Sequence, residues 1–101
     1  MNYKIVIRPE AEVDLADAFS WYESSRIGLG NDFLLQIDAG INFILRNPDA
    51  HPIVYNDTRQ HIIKRFPYKI IYIVKNELIL VLAILHNRRN FNLIKKRLAD
   101  T

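Results

Sequence analysis

Residues 68–86 read YKIIYIVKNELILVLAILH and predict the centre of a β-sheet. Tyr68–Val74 is rich in β-branched and aromatic residues, which predicts a strand. Residues 75–77 form a polar turn, in which Asn76 tolerates a left-handed backbone. Leu78–His86 is the next strand, and its near-continuous apolarity indicates that both of its faces are covered. The stretch therefore predicts an antiparallel hairpin whose second strand is buried.

Two more strands are predicted outward from this hairpin. His61–Phe66 reads as a strand just before it, and Pro67 interrupts the run as prolines do at sheet edges and bulges. Tyr3–Ile7 is β-prone and predicts a first strand. Residues 47–58 read as a loop that holds a short extended piece at Ile53–Tyr55.

Two amphipathic helices are predicted between the first strand and this loop. Pro9–Ser24 begins with a proline suited to the first helical position, and acidic residues in its first turns complement the helix dipole. Two glycines within residues 28–30 break the pattern, and Asn31–Arg46 then forms a second apolar stripe that ends before Pro48. The short connection predicts an antiparallel helical hairpin. A short third helix is predicted at Asn90–Leu98.

The order of these elements predicts an α+β fold. Strands that follow one another through tight turns pair antiparallel, and the helical hairpin packs on one face of the resulting sheet. We therefore expect one domain over residues 1–101, with an N-terminal strand, a mostly antiparallel four-stranded sheet and a short C-terminal helix.

The composition excludes several classes of site. The chain contains no cysteine, so a disulfide framework and a cysteine zinc site are excluded. His51, His61 and His86 lack the paired spacing of metal ligands, and no phosphate-binding glycine motif follows a strand, so we expect no metal and no cofactor. The longest apolar run, Leu78–Leu85, is far shorter than a membrane span, and the N-terminus does not read as a signal peptide. We therefore expect a cytoplasmic protein.

The net charge of +3 conceals a strong asymmetry along the chain. Residues 1–58 carry four basic and nine acidic side chains, whereas residues 59–101 carry ten basic and two acidic ones. The basic half is suited to docking a polyanion or an acidic protein. The alternative is an unevenly charged surface that is simply solvated.

Cationic side chains fall where the predicted strands begin or end. The set consists of Lys64, Arg65, Lys69, His86, Arg88 and Arg89. Because a hairpin places the end of one strand beside the start of its neighbour, we expect these groups at one end of the sheet, with Lys69 beside His86. Guanidinium groups bind phosphate and histidine transfers protons near neutral pH, so the set fits a polyanion-binding surface or a metal-free ribonuclease. The alternative is a group of solvated strand-end charges.

Several motifs together resemble the RelE/ParE toxin superfamily. After the opening strand the chain reads RPEAEVDL at residues 8–15, and WY follows at residues 21–22 near the end of that helix. Asn47 and Pro48 close the second helix. The most specific motif is RFPYKIIY at residues 65–72, followed by a strand that runs into HNRR at residues 86–89.

The resemblance implies a type II toxin that a cognate antitoxin holds in a hetero-oligomeric complex. The antitoxin's C-terminal segment is expected to wrap the toxin and to cover apolar surface on the hairpin or the sheet. The residues that we assign to this contact are Phe19, Trp21, Tyr22, Ile71 and Ile73.

The superfamily divides by mechanism. RelE-like members cut messenger RNA on the ribosome with arginines, lysines and a C-terminal tyrosine, whereas ParE-like members poison DNA gyrase. Here Lys69 stands where the ribonucleases carry arginine in Tyr-Arg-x-x-Tyr, and no tyrosine follows Tyr72. Phe91 can stack on a base but cannot move a proton. These differences favour a ParE-like toxin that inhibits growth through gyrase and is not itself an enzyme.

Two alternatives stay open. In a ribosome-dependent endoribonuclease, Arg65, Lys69 and Arg88 would hold phosphate and transition-state charge, with His86 as acid or base. A non-toxic binding module would not need the cationic set. For a target-binding surface of either toxin, the assigned residues are Lys64, Arg65, Lys69, Arg88 and Arg89.

Overall fold

The fold is that of a computed structural model, which describes residues 2–89 and 91–99. The predicted α+β class is confirmed, and the central hairpin and the first helix lie within one residue of their predicted bounds. In chain order the elements of the described residues are β1 (Lys4–Ile7), α1 (Pro9–Ser25), α2 (Leu29–Arg46), β2 (Ile53–Tyr55), β3 (Thr58–Ile62), β4 (Tyr68–Lys75), β5 (Leu78–His86) and α3 (Asn92–Ala99).

The strands form one sheet in the order β1-β5-β4-β3-β2. β1 lies parallel to β5, with Lys4 opposite Leu78 and Ile7 opposite Val81. The other three pairs are antiparallel. β5, the most apolar strand, therefore has a neighbour on each side, as its sequence favours.

The sheet has five strands rather than the expected four. The extended piece Ile53–Tyr55 pairs with β3 and becomes β2. The turn between them is short because Asn56 adopts a left-handed backbone with a φ of 50°, which asparagine tolerates better than most residues. Thr58 is buried, and its hydroxyl stabilises the turn by donating a hydrogen bond to the Tyr55 carbonyl.

The prediction of a strand over His61–Phe66 is wrong in position, because β3 ends at Ile62. The residues that follow form a tight loop, in which Arg65 has a φ of 71° and the Ile63 amide bonds back to the start of β4. Ile63 and Phe66 are nevertheless buried. Their apolarity therefore reflects side chains that enter the core from a loop, not strand pairing.

α1 and α2 pack together on one face of the sheet and bury most of the core. α2 begins at Leu29, two residues before its predicted start. Glu23 explains the difference, since its carboxylate accepts hydrogen bonds from the Gly28 and Gly30 amides at 3.0–3.1 Å. Gly28 has a left-handed φ of 91°. A glycine and an acid from the preceding helix thus satisfy the first amides of α2.

α3 covers the opposite face of the sheet. Ile94 is fully buried in a small apolar cluster that includes Ile71 and Leu85, so both faces of β5 are covered, as predicted. The helix begins at Asn92; its predicted first residue, Asn90, lies outside the described residues. Among the helices described here, none is long and apolar enough to cross a membrane.

β5 continues five residues past the end of β1. A pair of charged side chains binds the backbone of β5 along this part of its edge. There the Asp14 carboxylate accepts hydrogen bonds from the Ile84 amide at 3.0 Å and from the Arg97 guanidinium at 2.7 and 2.9 Å. Arg97 also donates to the Leu82 carbonyl at 3.0 Å. This ion pair joins α1 to α3 and occupies the edge where a neighbouring strand would bind.

Candidate functional site at the end of the central hairpin

The start of β4 and the end of β5 bring Tyr68 and His86 together. These residues are cross-strand partners, and the centroids of their rings lie 5.4 Å apart in an edge-on arrangement. Trp21 from α1 lies in the same groove with 69% of its surface exposed. Asp17 and Arg89 also line this open groove, whose volume is about 290 Å³. An imidazole, a phenol, an indole and a guanidinium are thus presented together.

Hydrogen bonding and burial set the protonation of this groove. Nδ1 of His86 accepts a hydrogen bond from the Arg88 amide at 3.1 Å, so the proton of neutral His86 lies on Nε2. Burial raises the pKa of Tyr68, and the Asp14 carboxylate raises it further. The Tyr68 hydroxyl and the Nε2–H group of His86 therefore offer two hydrogen-bond donors to a bound partner.

Lys69 points away from this groove. It pairs with Leu85, one step from His86, but only 7% of its surface is exposed. Its ammonium group donates to the Arg89 carbonyl at 3.1 Å and lies 5.3 Å from the centre of the Phe91 ring. Lys69 therefore holds the segment after β5 in place, and its charge is already engaged within the protein.

The other cations of the predicted set lie around the same end of the sheet without forming one pocket. Arg65 lies 3.9 Å from the Asp32 carboxylate of α2. Lys64 lines a separate cavity beside α2. Arg88 and Arg89 are exposed after the end of β5. The structure thus divides the set among several surfaces, and the binding roles of its members stay predictions.

The five apolar residues assigned to the antitoxin differ in their exposure. Trp21 is exposed, while Phe19 and Tyr22 are half-buried, the latter in an aromatic cluster with rings 4.8–6.0 Å from its own. Ile71 and Ile73 are 0% and 4% exposed. This corrects the expectation that they are accessible to a partner, and the cause at Ile71 is α3, which packs over it.

The sequence pattern does not point to Tyr68 or Asp17 as groove residues, although the RFPY motif contains the tyrosine. It also gives no sign that two of the three separated histidines meet, with His51 Nε2 lying 2.8 Å from His61 Nδ1. The contact between these two histidines depends on the path of the segment between α2 and β2, which carries His51 to His61 of β3. In the part of the chain that the structure describes, no three His, Cys, Asp or Glu side chains are grouped so as to hold a metal ion.

The chain matches a known toxin family over most of its length. A family model described as the ParE toxin of the type II toxin–antitoxin system parDE matches residues 5–91, from β1 to just past the groove. The protein is therefore a toxin component of a type II toxin–antitoxin system. Within that class, the chain belongs to the ParE toxin family.

A solved structure is similar in fold. It is described as the chromosomal ParDE TA system from P. aeruginosa, and it matches with a TM-score of 0.75 at 16% sequence identity. The match covers 83% of this chain and 95% of that chain. At this identity the likeness is one of fold alone. A search of curated proteins found no match.

Proposed function

We propose that this toxin inhibits growth by binding DNA gyrase in the cytoplasm, and that a cognate antitoxin neutralises it. The observation that carries the proposal is the ParE family match over residues 5–91. The groove supports it, because Trp21 and Arg89 lie together there, and aromatic and arginine side chains contribute strongly to affinity at protein interfaces. The exposed Arg88 and Arg89 extend this surface beyond β5.

The proposed antitoxin contact begins at Trp21 and Phe19 on α1. Trp21 is exposed and Phe19 is half-buried, and the exposed apolar side chains of the two helices also include Val13 and Leu35, with 58% and 66% of their surfaces exposed. Exposed apolar surface of this kind favours a partner. An acidic, amphipathic antitoxin segment fits, because the Trp21 groove adjoins the basic segment after β5.

A second candidate, a RelE-like ribosome-dependent endoribonuclease, is supported by the Tyr68–His86 pair. A phenol and an imidazole beside cations are groups that a metal-free ribonuclease needs. Two contacts argue against it, since Lys69 is engaged with a backbone carbonyl and Arg65 lies 3.9 Å from a carboxylate. We therefore favour a toxin without catalytic chemistry, with a non-toxic binding module as the third alternative.

Induced expression without antitoxin distinguishes these three functions. We expect growth arrest, double-strand DNA breaks and an SOS response, and we expect the purified toxin to inhibit supercoiling by gyrase or to trap cleaved DNA. An active toxin that degrades messenger RNA and leaves gyrase unaffected would replace gyrase with the ribosome as target. Normal growth would favour the binding module.

Matched charge variants locate the docking surface. Arg88→Ala combined with Arg89→Ala should weaken gyrase inhibition by about tenfold or more, as expected for interface arginines. The control is Lys4→Ala combined with Lys75→Ala, which removes the same charge at the opposite end of β4 and β5. An equal loss in both pairs would contradict a defined surface. Tyr68→Phe would abolish cleavage by a ribonuclease that uses this hydroxyl, whereas it should weaken gyrase inhibition by about tenfold at most, the contribution of one hydrogen bond.

A further inference from the structure

A chain of hydrogen-bonded side chains lies away from the groove, beside α2, β3 and β4. The Tyr72 hydroxyl donates to the Pro48 carbonyl at 2.8 Å, and its oxygen lies 3.0 Å from Nδ1 of His51. Nε2 of His51 lies 2.8 Å from Nδ1 of His61. The proposed gyrase contact uses none of these residues, so a role for them is independent of gyrase binding.

When both histidines are neutral, the hydrogen bonds among Tyr72, His51 and His61 can be arranged in only one way. Tyr72 has a single hydroxyl hydrogen and the Pro48 carbonyl can only accept, so the Tyr72 oxygen must accept from Nδ1–H of His51. Neutral His51 then has a bare Nε2, which accepts from Nδ1–H of His61. His61 therefore carries its proton on Nδ1, and its Nε2 keeps a free lone pair.

The ring of His61 lines an open cavity of about 230 Å³ between α2 and β3. Gly40 of α2 lines it too, and a Cβ atom at this position would lie 3.0 Å from Cδ2 and 3.2 Å from Nε2 of His61. The missing side chain therefore leaves room beside α2 for the Nε2 edge of His61. Phe43 stacks on the same ring, with the two centroids 5.4 Å apart, and holds it in position.

The cavity carries positive charge without acidic side chains in its walls. Arg46 and Lys64 line it, and within residues 2–89 and 91–99 neither forms an ion pair with a carboxylate. Burial lowers the pKa of His61, and the neighbouring His51 and Lys64 lower it further. Burial and Arg59 lower the pKa of His51. An anion that enters near neutral pH therefore meets the positive charges of Arg46 and Lys64 and the imidazole lone pair of His61.

We propose that this cavity binds a phosphate monoester group, whose charge Arg46 and Lys64 neutralise and whose hydroxyl donates a hydrogen bond to Nε2 of His61. Guanidinium and ammonium groups are common phosphate ligands. The second pKa of a phosphate monoester is about 6, so near neutral pH a fraction of the ligand keeps the hydrogen that the lone pair requires. Carboxylate, sulfate and phosphodiester groups carry no such hydrogen, and their oxygens repel the lone pair.

The first experiment titrates the purified full chain with inorganic phosphate at pH 7 and follows the histidine nitrogens by long-range ¹H–¹⁵N NMR. We expect the Nδ1–H form for both His51 and His61 in the free protein, and a phosphate-dependent shift at Nε2 of His61. Sulfate should bind about fivefold more weakly or worse, because it leaves the lone pair without a donor. Sulfate binding as tight as that of phosphate, or a proton on Nε2 of free His61, would overturn the site.

Variants test the same assignment. Arg46→Gln and Lys64→Gln should each weaken phosphate binding by about fivefold or more, while Lys75→Gln, which removes the same charge at the far end of β4, should not change it. His61→Gln replaces the lone pair with an amide that can donate, so the preference for phosphate over sulfate should disappear. Unchanged affinity in both cavity variants would also overturn the site. If His61→Gln does not fold, the NMR measurement on the unaltered chain still decides.

A free nucleotide and the terminal phosphate of a nucleic acid share this chemistry, and three probes separate them. The probes are AMP, a 5′-phosphorylated oligonucleotide and the same oligonucleotide without its terminal phosphate. Tighter binding of the phosphorylated oligonucleotide than of AMP assigns the site to a nucleic-acid end, and equal binding assigns it to a free nucleotide. Equal binding of the two oligonucleotides would contradict the proposal, because it would mean recognition of diesters.

Discussion

The two faces of the sheet are closed in different ways. The face under α1 and α2 holds a cluster of twelve buried apolar residues, whereas the face under α3 holds a cluster of four. On the smaller face, Arg97 fastens α3 through its hydrogen bonds to Asp14 and to the Leu82 carbonyl. Packing on the larger face is therefore stabilised mainly by burial of apolar side chains, whereas packing on the smaller face depends more on a few polar contacts.

The largest expected effect is that of Phe33→Ala on the larger face. The Phe33 side chain is fully buried, and its ring lies 5.0–5.3 Å from three other aromatic rings. Its removal leaves a cavity and should lower the free energy of unfolding by about 4 kcal/mol in urea denaturation. Phe43→Ala removes the same side chain from a partly exposed site of the same helix and should lower it by about 1 kcal/mol.

Ile94→Ala makes the corresponding change on the smaller face. It should lower the free energy of unfolding by about 2 kcal/mol, and hydrogen exchange should accelerate in α3 before it does in the sheet. If Phe33→Ala and Ile94→Ala lowered global stability equally and accelerated exchange everywhere, the contrast between the two faces would be wrong.

The sequence predicted the elements with regular periodicity and missed those set by single backbone conformations. α1, β4 and β5 follow from apolar spacing and turn chemistry, and all three were located to within a residue. β2 and the end of β3 depend on left-handed backbone at Asn56 and Arg65. The apolar residues Ile63 and Phe66 read the same whether they pair in a strand or enter the core from a loop, so no periodicity distinguishes the two cases.

The next largest effect on the free energy of unfolding is expected from breaking the Asp14–Arg97 ion pair, at the part of the β5 edge that β1 does not cover. Asp14 and Arg97 side chains are only 14% and 13% exposed, so Asp14→Asn leaves a poorly hydrated guanidinium without its counter-ion. The free energy of unfolding should fall by about 2 kcal/mol. Asp17→Asn, at an exposed position of the same helix, is the matched control and should change it by less than about 0.5 kcal/mol. Equal values for the two variants would mean that apolar contacts alone hold α3.

The smallest effect at neutral pH is expected for Tyr72→Phe, on the larger face. The variant loses the hydrogen bonds to Pro48 and His51, which should cost about 1 kcal/mol. Burial raises the pKa of Tyr72 to about 12, with Asp49 raising it and Arg59 opposing. Folding therefore favours the neutral phenol, so this stabilisation is complete below the unfolded pKa of about 10 and is lost as the pH rises towards 12.

The measurement is urea denaturation of Tyr72→Phe and the unaltered chain between pH 7 and pH 11.5. The advantage of the unaltered chain should shrink above pH 10. Tyr55→Phe, which removes a hydroxyl near the smaller face, is the control. A difference between Tyr72→Phe and the unaltered chain that stays constant across this range would contradict a buried neutral phenol.

The sequence indicated which segments of the chain form the candidate site, but it did not indicate which face of the sheet each side chain occupies. Lys75 pairs with Leu78 across the turn, and a regular ladder from there would place Tyr68 opposite Leu85. A bulge at Ile71 and Tyr72 shifts the register by one residue, so Tyr68 lies opposite His86 instead. No residue in the sequence indicates the bulge. The composition therefore predicted that cationic side chains gather at one end of the sheet, but it could not show that Lys69 and His86 lie on different faces of that sheet.

The parallel pairing of β1 with β5 joins residues 74 positions apart, since Lys4 lies opposite Leu78. Bringing such distant segments together has an entropic cost of roughly 4 kcal/mol, which only the completed sheet can offset. β1 therefore has no partner in the sheet until β5, 74 positions further along the chain, is available. Because β5 also lines the groove, the sheet and the groove are completed together, once both of these distant segments are present.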